Sequence, residues 1–197
     1  MTIFLVVLMI GFNFFLRSQR LTQLAESEAK MQMYARQAMT IITKELRQAS
    51  DYKEKFDIGD PTSEAKDVRF VRPAQGLIGQ YTLVRYWYAK NDKGIFSLYR
   101  AEMSNGTNPN VTTDFTPNPI SASDRTTYKI RSLIKEATVI DPGERSFFHQ
   151  DPDNRSSLSI RLVTATYGIE DGSLTGEYEV KRQFNLDNEI YARNLNK

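Results

Sequence analysis

The chain has 197 residues, 26 basic and 24 acidic, with 40% hydrophobic and 25% charged side chains, a balance that fits one folded domain plus an extension and excludes wholesale disorder. A formal charge of +2 supplies no field to gather nucleic acid, so neither DNA nor RNA is expected as a partner. Cysteine is absent and His149 is the single histidine, which excludes disulfides, thiolate zinc sites, cysteine nucleophiles and any site that needs two imidazoles.

Residues 1–16, MTIFLVVLMIGFNFFL, carry no charge, and Thr2 and Asn13 are their clear polar side chains. As a helix the run reaches roughly 24 Å, short of the ~30 Å hydrocarbon core of a bilayer, so it enters a membrane deeply and spans it marginally. With Met1 as initiator the run lacks a basic n-region, while Arg17 and Arg20 flank its far end and would keep the head in the cytoplasm. Removal of a short basic leader, leaving Met1 as the first mature residue, reverses that orientation and exports the head. An ordinary signal anchor is the plainer alternative.

Residues 17–50 contain neither glycine nor proline, and nothing in them interrupts a helix before Gly59. Leu21, Leu24, Met31, Ala35, Ala38, Ile42, Leu46 and Ala49 recur at spacings of three, four or seven, which places them along one stripe. That stripe either packs on neighbouring helices or covers the chain's own sheet. About fifty helical residues make a rod near 75 Å, longer than a small head is wide, so the first half needs partners outside the head. Gly11 and Asn13 are the weakest helical positions in the apolar run, and local melting is expected there first.

After Ser50 the sequence turns polar, and Gly59, Asp60 and Pro61 signal the end of the helix and the boundary of the head. Alternating runs at 68–72, 81–89 and 95–101 read as strands, with NDKG at 91–94 as a hairpin turn. In the second run Tyr81, Leu83, Arg85 and Trp87 share one face and Thr82, Val84, Tyr86 and Tyr88 the other. One face is expected to cover the helix, the other to meet a loop or a neighbouring subunit. Residues 103–127 read as a polar surface loop, and Asn105, Asn110 and Asn154 head N-glycosylation sequons. Strands resume at 128–134 and 137–140, and 157–169 with 176–186 form the strongest hairpin signal, turning at EDGSLT. In that hairpin Leu158, Ile160 and Leu162 share a face, as do Tyr178, Val180, Phe184 and Leu186.

For metal chemistry the one candidate is Asp151, Asp153 and Asn154 in HQDPDN, oxygen donors suited to calcium. The loop lacks the glycine and glutamate of an EF-hand, and a solvated acidic turn is the plainer reading. No glycine-rich phosphate loop or nucleophile elbow occurs in the sequence, so no catalytic residue, resident metal or cofactor is expected.

Met1, Thr2, Ile3 and the apolar run after them, continuing into a long amphipathic helix and a strand-rich head, resemble the type IV pilins and the pseudopilins of type II secretion. VRYWYAKNDKGIFSLYR at 84–100 and the ending with Arg193 and Asn194 are similar to the larger minor pilins and J-type pseudopilins. The sequence departs from the family at its fifth position, where Leu5 replaces a glutamate thought to neutralise a neighbour's terminal amine. The resemblance implies an α+β, pilin-like fold, with a helical stalk over 1–50 packed on an antiparallel β-sheet head over 51–197. It implies a filament core built from Met1, Ile3, Phe4, Leu5, Val6, Leu8 and Phe12, continued by Leu21, Leu24, Met31, Ala35 and Ala38. The implied partners are other copies or related pilins, membrane lipid before assembly, and an assembly platform and motor. The implied location is the inner membrane first and an extracellular filament afterwards. The competing reading is a single-pass anchored binding module or adhesin that never polymerises.

Overall fold

A computed structural model describes residues 2–55, 67–90, 96–111, 115–134, 138–139, 148–151, 154–169 and 178–191. Helix α1 runs unbroken over Thr2–Leu46. It stops earlier than the expected end near Gly59. The Gln48 N–H donates to the Glu45 carbonyl and the Ala49 N–H to the Leu46 carbonyl, each at 3.0 Å, a last turn tightened to three-residue spacing. The Ser50 N–H and hydroxyl then both donate to the Val71 carbonyl, at 2.8 and 3.0 Å. The expected polar connection therefore begins as a strand, β1 (Asp51–Lys55), paired antiparallel with β2 (Asp67–Pro73). Gly59, Asp60 and Pro61 lie outside the described residues.

Three of the expected strands follow in register. β2 pairs with β3 (Tyr81–Lys90), β3 with β4 (Phe96–Gly106), and β4 with a short β5 (Arg131–Ser132), giving an antiparallel sheet in the order β1-β2-β3-β4-β5. The hairpin expected between 81–89 and 95–101 is present, and its turn lies outside the described residues. Two expectations on the next stretch need correction. β4 takes the first residues of the supposed loop, and helix α2 (Ala122–Thr127), capped by the Ser121 hydroxyl, takes its end. Between them Val111, Phe115, Pro117 and Pro119 are buried. The strand expected over 128–134 shrinks to two residues, because Tyr128 closes α2 and Lys129 adopts a φ of 47°.

The second sheet is organised by β8 (Asn154–Ile169). β9 (Tyr178–Tyr191) lies along nearly its whole length, confirming the expected hairpin, whose turn is outside the described residues. The other edge of β8 is shared by β6 (Thr138–Val139) at one end and β7 (Phe148–Asp151) at the other, all antiparallel. A register shift between Thr166 and Tyr167 breaks the period-two count, so Tyr178 and Val180 are not placed on the face of Phe184 and Leu186 by counting alone.

One core joins helix and both sheets. Met31, Ala35, Ala38, Met39, Ile42, Leu46 and Ala49 pack with Val68, Phe70, Val84, Tyr86 and Leu98 of the first sheet, and with Leu158, Ile160, Leu162 and Ile190 of the second. The alanines let the helix backbone approach the sheets closely, where a larger side chain has no room. Ala38→Leu is accordingly expected to destabilise the fold by about 1–3 kcal/mol through overpacking, read as a lower urea midpoint at unchanged slope. The opposite face of the first sheet, with Leu83, Trp87 and Tyr99, is covered by Val111 and Phe115. Both faces of β3 are thus occupied, as its alternating aromatics suggest. The architecture is α+β with a long N-terminal helix on antiparallel sheets.

Candidate functional site

Every described side chain from Phe4 to Glu26 is exposed, and Met31 is the first buried position of α1. Residues 2–30 therefore form about 43 Å of helix without a buried side chain among those described. Over the first part the exposed groups are Phe4, Leu5, Val7, Leu8, Met9, Ile10, Phe12, Phe14, Phe15 and Leu16, with Phe4 at 69% and Phe14 at 75% of full exposure. At 100° per residue these positions cover all sides of the helix, so no rotation hides them against the chain's own head. A helix apolar all round is stable only when surrounded. Removing these ten side chains from water is worth on the order of 10 kcal/mol, comparable with the whole stability of a domain. Among the described residues no helix is long and apolar enough to cross a membrane.

The expected assembly stripe divides at the head. Leu21 and Leu24 remain exposed, whereas Met31, Ala35 and Ala38 are buried inside the chain's own core. Those three residues are corrected from contacts between copies to contacts between helix and sheets. Phe4, Leu5, Leu8 and Phe12 are exposed as an external surface requires. Met1 and the side chains of Ile3 and Val6 lie outside the described residues. At Gly11 an added Cβ would meet nothing within 4 Å, and Asn13 is exposed, so neither is demanded by a contact within the chain.

Where the helix enters the head, a charged cluster holds it to the first sheet. Glu45 stands on the last turn of α1, and Arg100 of β4 grips it with two hydrogen bonds, Nε to Oε2 at 2.9 Å and Nη2 to Oε1 at 2.8 Å. The Tyr86 hydroxyl of β3 donates to the same Oε2. Arg100 Nη2 also donates to Glu102 Oε2 at 2.6 Å, and Lys129 Nζ reaches Glu102 Oε1 at 3.3 Å. A carboxylate near a helix C-terminus opposes the helix dipole, so Glu45 is placed there by its partners. Burial pushes its carboxyl up, but the Arg100 hydrogen bonds, the Tyr86 hydroxyl and the charges of Arg100 and Arg72 outweigh burial and hold it below the ordinary range. Glu102 is likewise raised by burial and brought lower by Arg100 and Lys129. Burial and the adjacent Glu45 push the Tyr86 hydroxyl well up. These shifts favour fixed charges, which suits an anchor for the helix more than a proton-transfer site.

On the far face of the sheet Asp67 receives Arg69 at 3.0 Å and Arg85 at 2.8 Å, and the Arg85 guanidinium lies 4.6 Å from the Trp87 ring centroid. This cluster rivets β2 to β3 beneath the aromatic face.

The calcium candidate is not assembled by the described residues. Asp151 and Asn154 are register partners at the β7–β8 turn, Asp153 lies outside the described residues, and no group of three or more acidic or histidine ligands occurs among those described. Of the sequons, Asn105 is already engaged, its side-chain amide donating to the Asn108 and Asn110 carbonyls at 2.8 and 3.2 Å. A sugar there would break the turn after β4. No family model, curated protein or solved structure matches the chain.

Proposed function

We propose that the chain is a structural subunit of a type IV pilus-like filament, built through the exposed half of α1 with the head outside, and that it is not an enzyme. The observation that carries the reading is the exposed run from Phe4 to Leu16, apolar on every side and beyond the reach of the chain's own core. In lipid such a surface is covered by acyl chains, and in a polymer by the same segment of sister copies. Related pilins, an assembly platform and a motor would be its partners, the inner membrane its first location and the cell surface its last. The clamp of Glu45 on Arg100 would transmit the helix position to the head, so that packing of helices sets the packing of heads.

The test is cysteine crosslinking between copies through Leu21→Cys and Leu24→Cys, both at exposed positions. The reading predicts ladders of crosslinked copies in sheared surface material. Filaments that lack the protein, with copies uncrosslinked in the membrane, would establish the competing tether.

Leu5 offers a second expectation. Were Met1 the first mature residue, its uncompensated amine in an apolar core would be costly, and on that footing Leu5→Glu is expected to leave incorporation intact or raise it, scored as protein in the filament fraction. Loss of incorporation at normal cellular levels would show that the amine does not lie near a neighbour's fifth position.

A further inference from the structure

Among the described residues, the clamp leaves Arg72 without a hydrogen bond of its own. Arg100 saturates Glu45 and bridges to Glu102, whereas Arg72 meets the same two carboxylates only at 3.8 and 3.7 Å. The Arg72 side chain retains 9% of its exposure, and its Nε is enclosed with no partner among the described residues. A buried guanidinium normally spends its donors on well-made hydrogen bonds. Three guanidinium or ammonium groups, Arg72, Arg100 and Lys129, face two carboxylates, Glu45 and Glu102. Among the described residues the cluster therefore carries one positive charge in excess.

The excess charge borders an open space. A cleft of about 530 Å3 lies between the β2–β3 connection and the turn after α2, and Arg72, Gln80, Thr82, Ser104, Tyr128 and Lys129 are among its walls. Lys129 is 75% exposed at its side chain and is the one non-glycine residue with positive φ among those described. A lysine held in the left-handed region is strained, and such strain persists where the surroundings require that residue. Arg72 and Lys129 flank the cleft, and the hydroxyls of Thr82 and Ser104 with the Gln80 amide line it.

We propose that this cleft is a binding site for a small organic monocarboxylate, held between Arg72 and Lys129. A single negative charge matches the single excess positive charge, while Glu102 on the same wall repels a dianion such as phosphate. The carboxylate could be that of an acidic sugar or of a peptide terminus, since both present the same group beside hydrogen-bonding neighbours. The site stands apart from the exposed half of α1 and does not depend on polymerisation.

The experiment titrates the full-length chain, in non-ionic detergent, with N-acetylalanine, its amide, glucuronate and glucose, following binding by calorimetry. At least one acid is expected to bind saturably and about tenfold or more tighter than its neutral counterpart. The acid that binds more tightly identifies the source of the carboxylate. Lys129→Gln is expected to weaken that acid about tenfold with an unchanged melting temperature. Lys129→Gly, which relieves the backbone strain, should weaken binding as much while holding or raising the melting temperature. Equal binding of acid and neutral forms, no binding of either acid, binding unaffected by Lys129→Gln, or tighter binding of inorganic phosphate would each overturn the assignment.

Discussion

A chain that starts at Ser27 is expected to remain monomeric in plain buffer and to melt as a single cooperative unit, whereas the full-length chain associates unless detergent or lipid covers it. The deletion removes all ten exposed apolar side chains of the first turns, with Leu21 and Leu24, and leaves the core from Met31 onward untouched. Ser27 would serve as a new N-cap for the shortened helix. Sedimentation velocity and a circular-dichroism melt of both chains check the expectation. Burial worth on the order of 10 kcal/mol moves from the subunit to whatever surrounds it, so the difference in association should span orders of magnitude in concentration. Equal association of the two chains would mean that the head, not the helix, carries the interaction.

Arg100→Met is expected to cost about 3–5 kcal/mol, because it takes both guanidinium hydrogen bonds from a mostly buried carboxylate and leaves it the Tyr86 hydroxyl and the more distant Arg72. The Arg100 side chain is 4% exposed and that of Glu45 15%, so water does little to replace the lost bonds. For a chain of this size the loss corresponds to roughly 10 °C in melting temperature. Glu45→Leu added to Arg100→Met should return part of it, since a pair replaced by apolar groups costs far less than a pair broken. The cluster also predicts an acid limb. Glu45 and Glu102 are held below the ordinary carboxylate range in the folded chain, so the unfolded chain takes up protons first as pH falls. Their contribution is complete above the ordinary glutamate value of about 4.3 and is lost as pH drops through it towards the lowered folded values. Urea midpoints measured from pH 7 to pH 3 should stay flat and then fall, and Arg100→Met should blunt the fall.

Much of the architecture is legible because it is written in periodicity. The strands at 68–72, 81–89 and 95–101 and the long hairpin appear where alternation places them, and the two faces of β3 meet helix and loop as their aromatics require. The features hidden from a linear reading are decided by distant contacts. The end of α1 has no glycine or proline to mark it; Ser50 makes it by donating to Val71, a residue brought there by the sheet. The polar stretch after β4 conceals Val111 and Phe115, two apolar residues among many Asn and Thr, which cover a sheet face together with Tyr128 and Ile130. Lys129 cuts short the strand expected at 128–134 through a backbone angle that no propensity announces.

The clamp does leave a signal in the sequence, in the interval between two core residues. Met31, Ala35, Ala38, Ile42, Leu46 and Ala49 follow spacings of four, three, four, four and three, and Glu45, three residues after Ile42 and four before Ala49, stands beside Leu46 on the same side of the helix. A carboxylate at a core position of an amphipathic helix calls for a buried cation. Arg72 and Arg100, each two residues after a large apolar strand residue, Phe70 and Leu98, are the candidates. The stripe is a packing surface, as its spacing implies, but periodicity cannot say whether the packed partner is the same chain or another. Burial divides it between Leu24 and Met31.

We propose that the apolar half of α1 finds its lasting cover in sister chains. Electron cryo-microscopy of the protein in its native assembly tests this most directly. Helices bundled about a common axis are expected, with Phe4 to Leu16 of one copy against the same segment of its neighbours and the heads on the outside. A map showing that segment alone in a bilayer, with the heads free of one another, would contradict it.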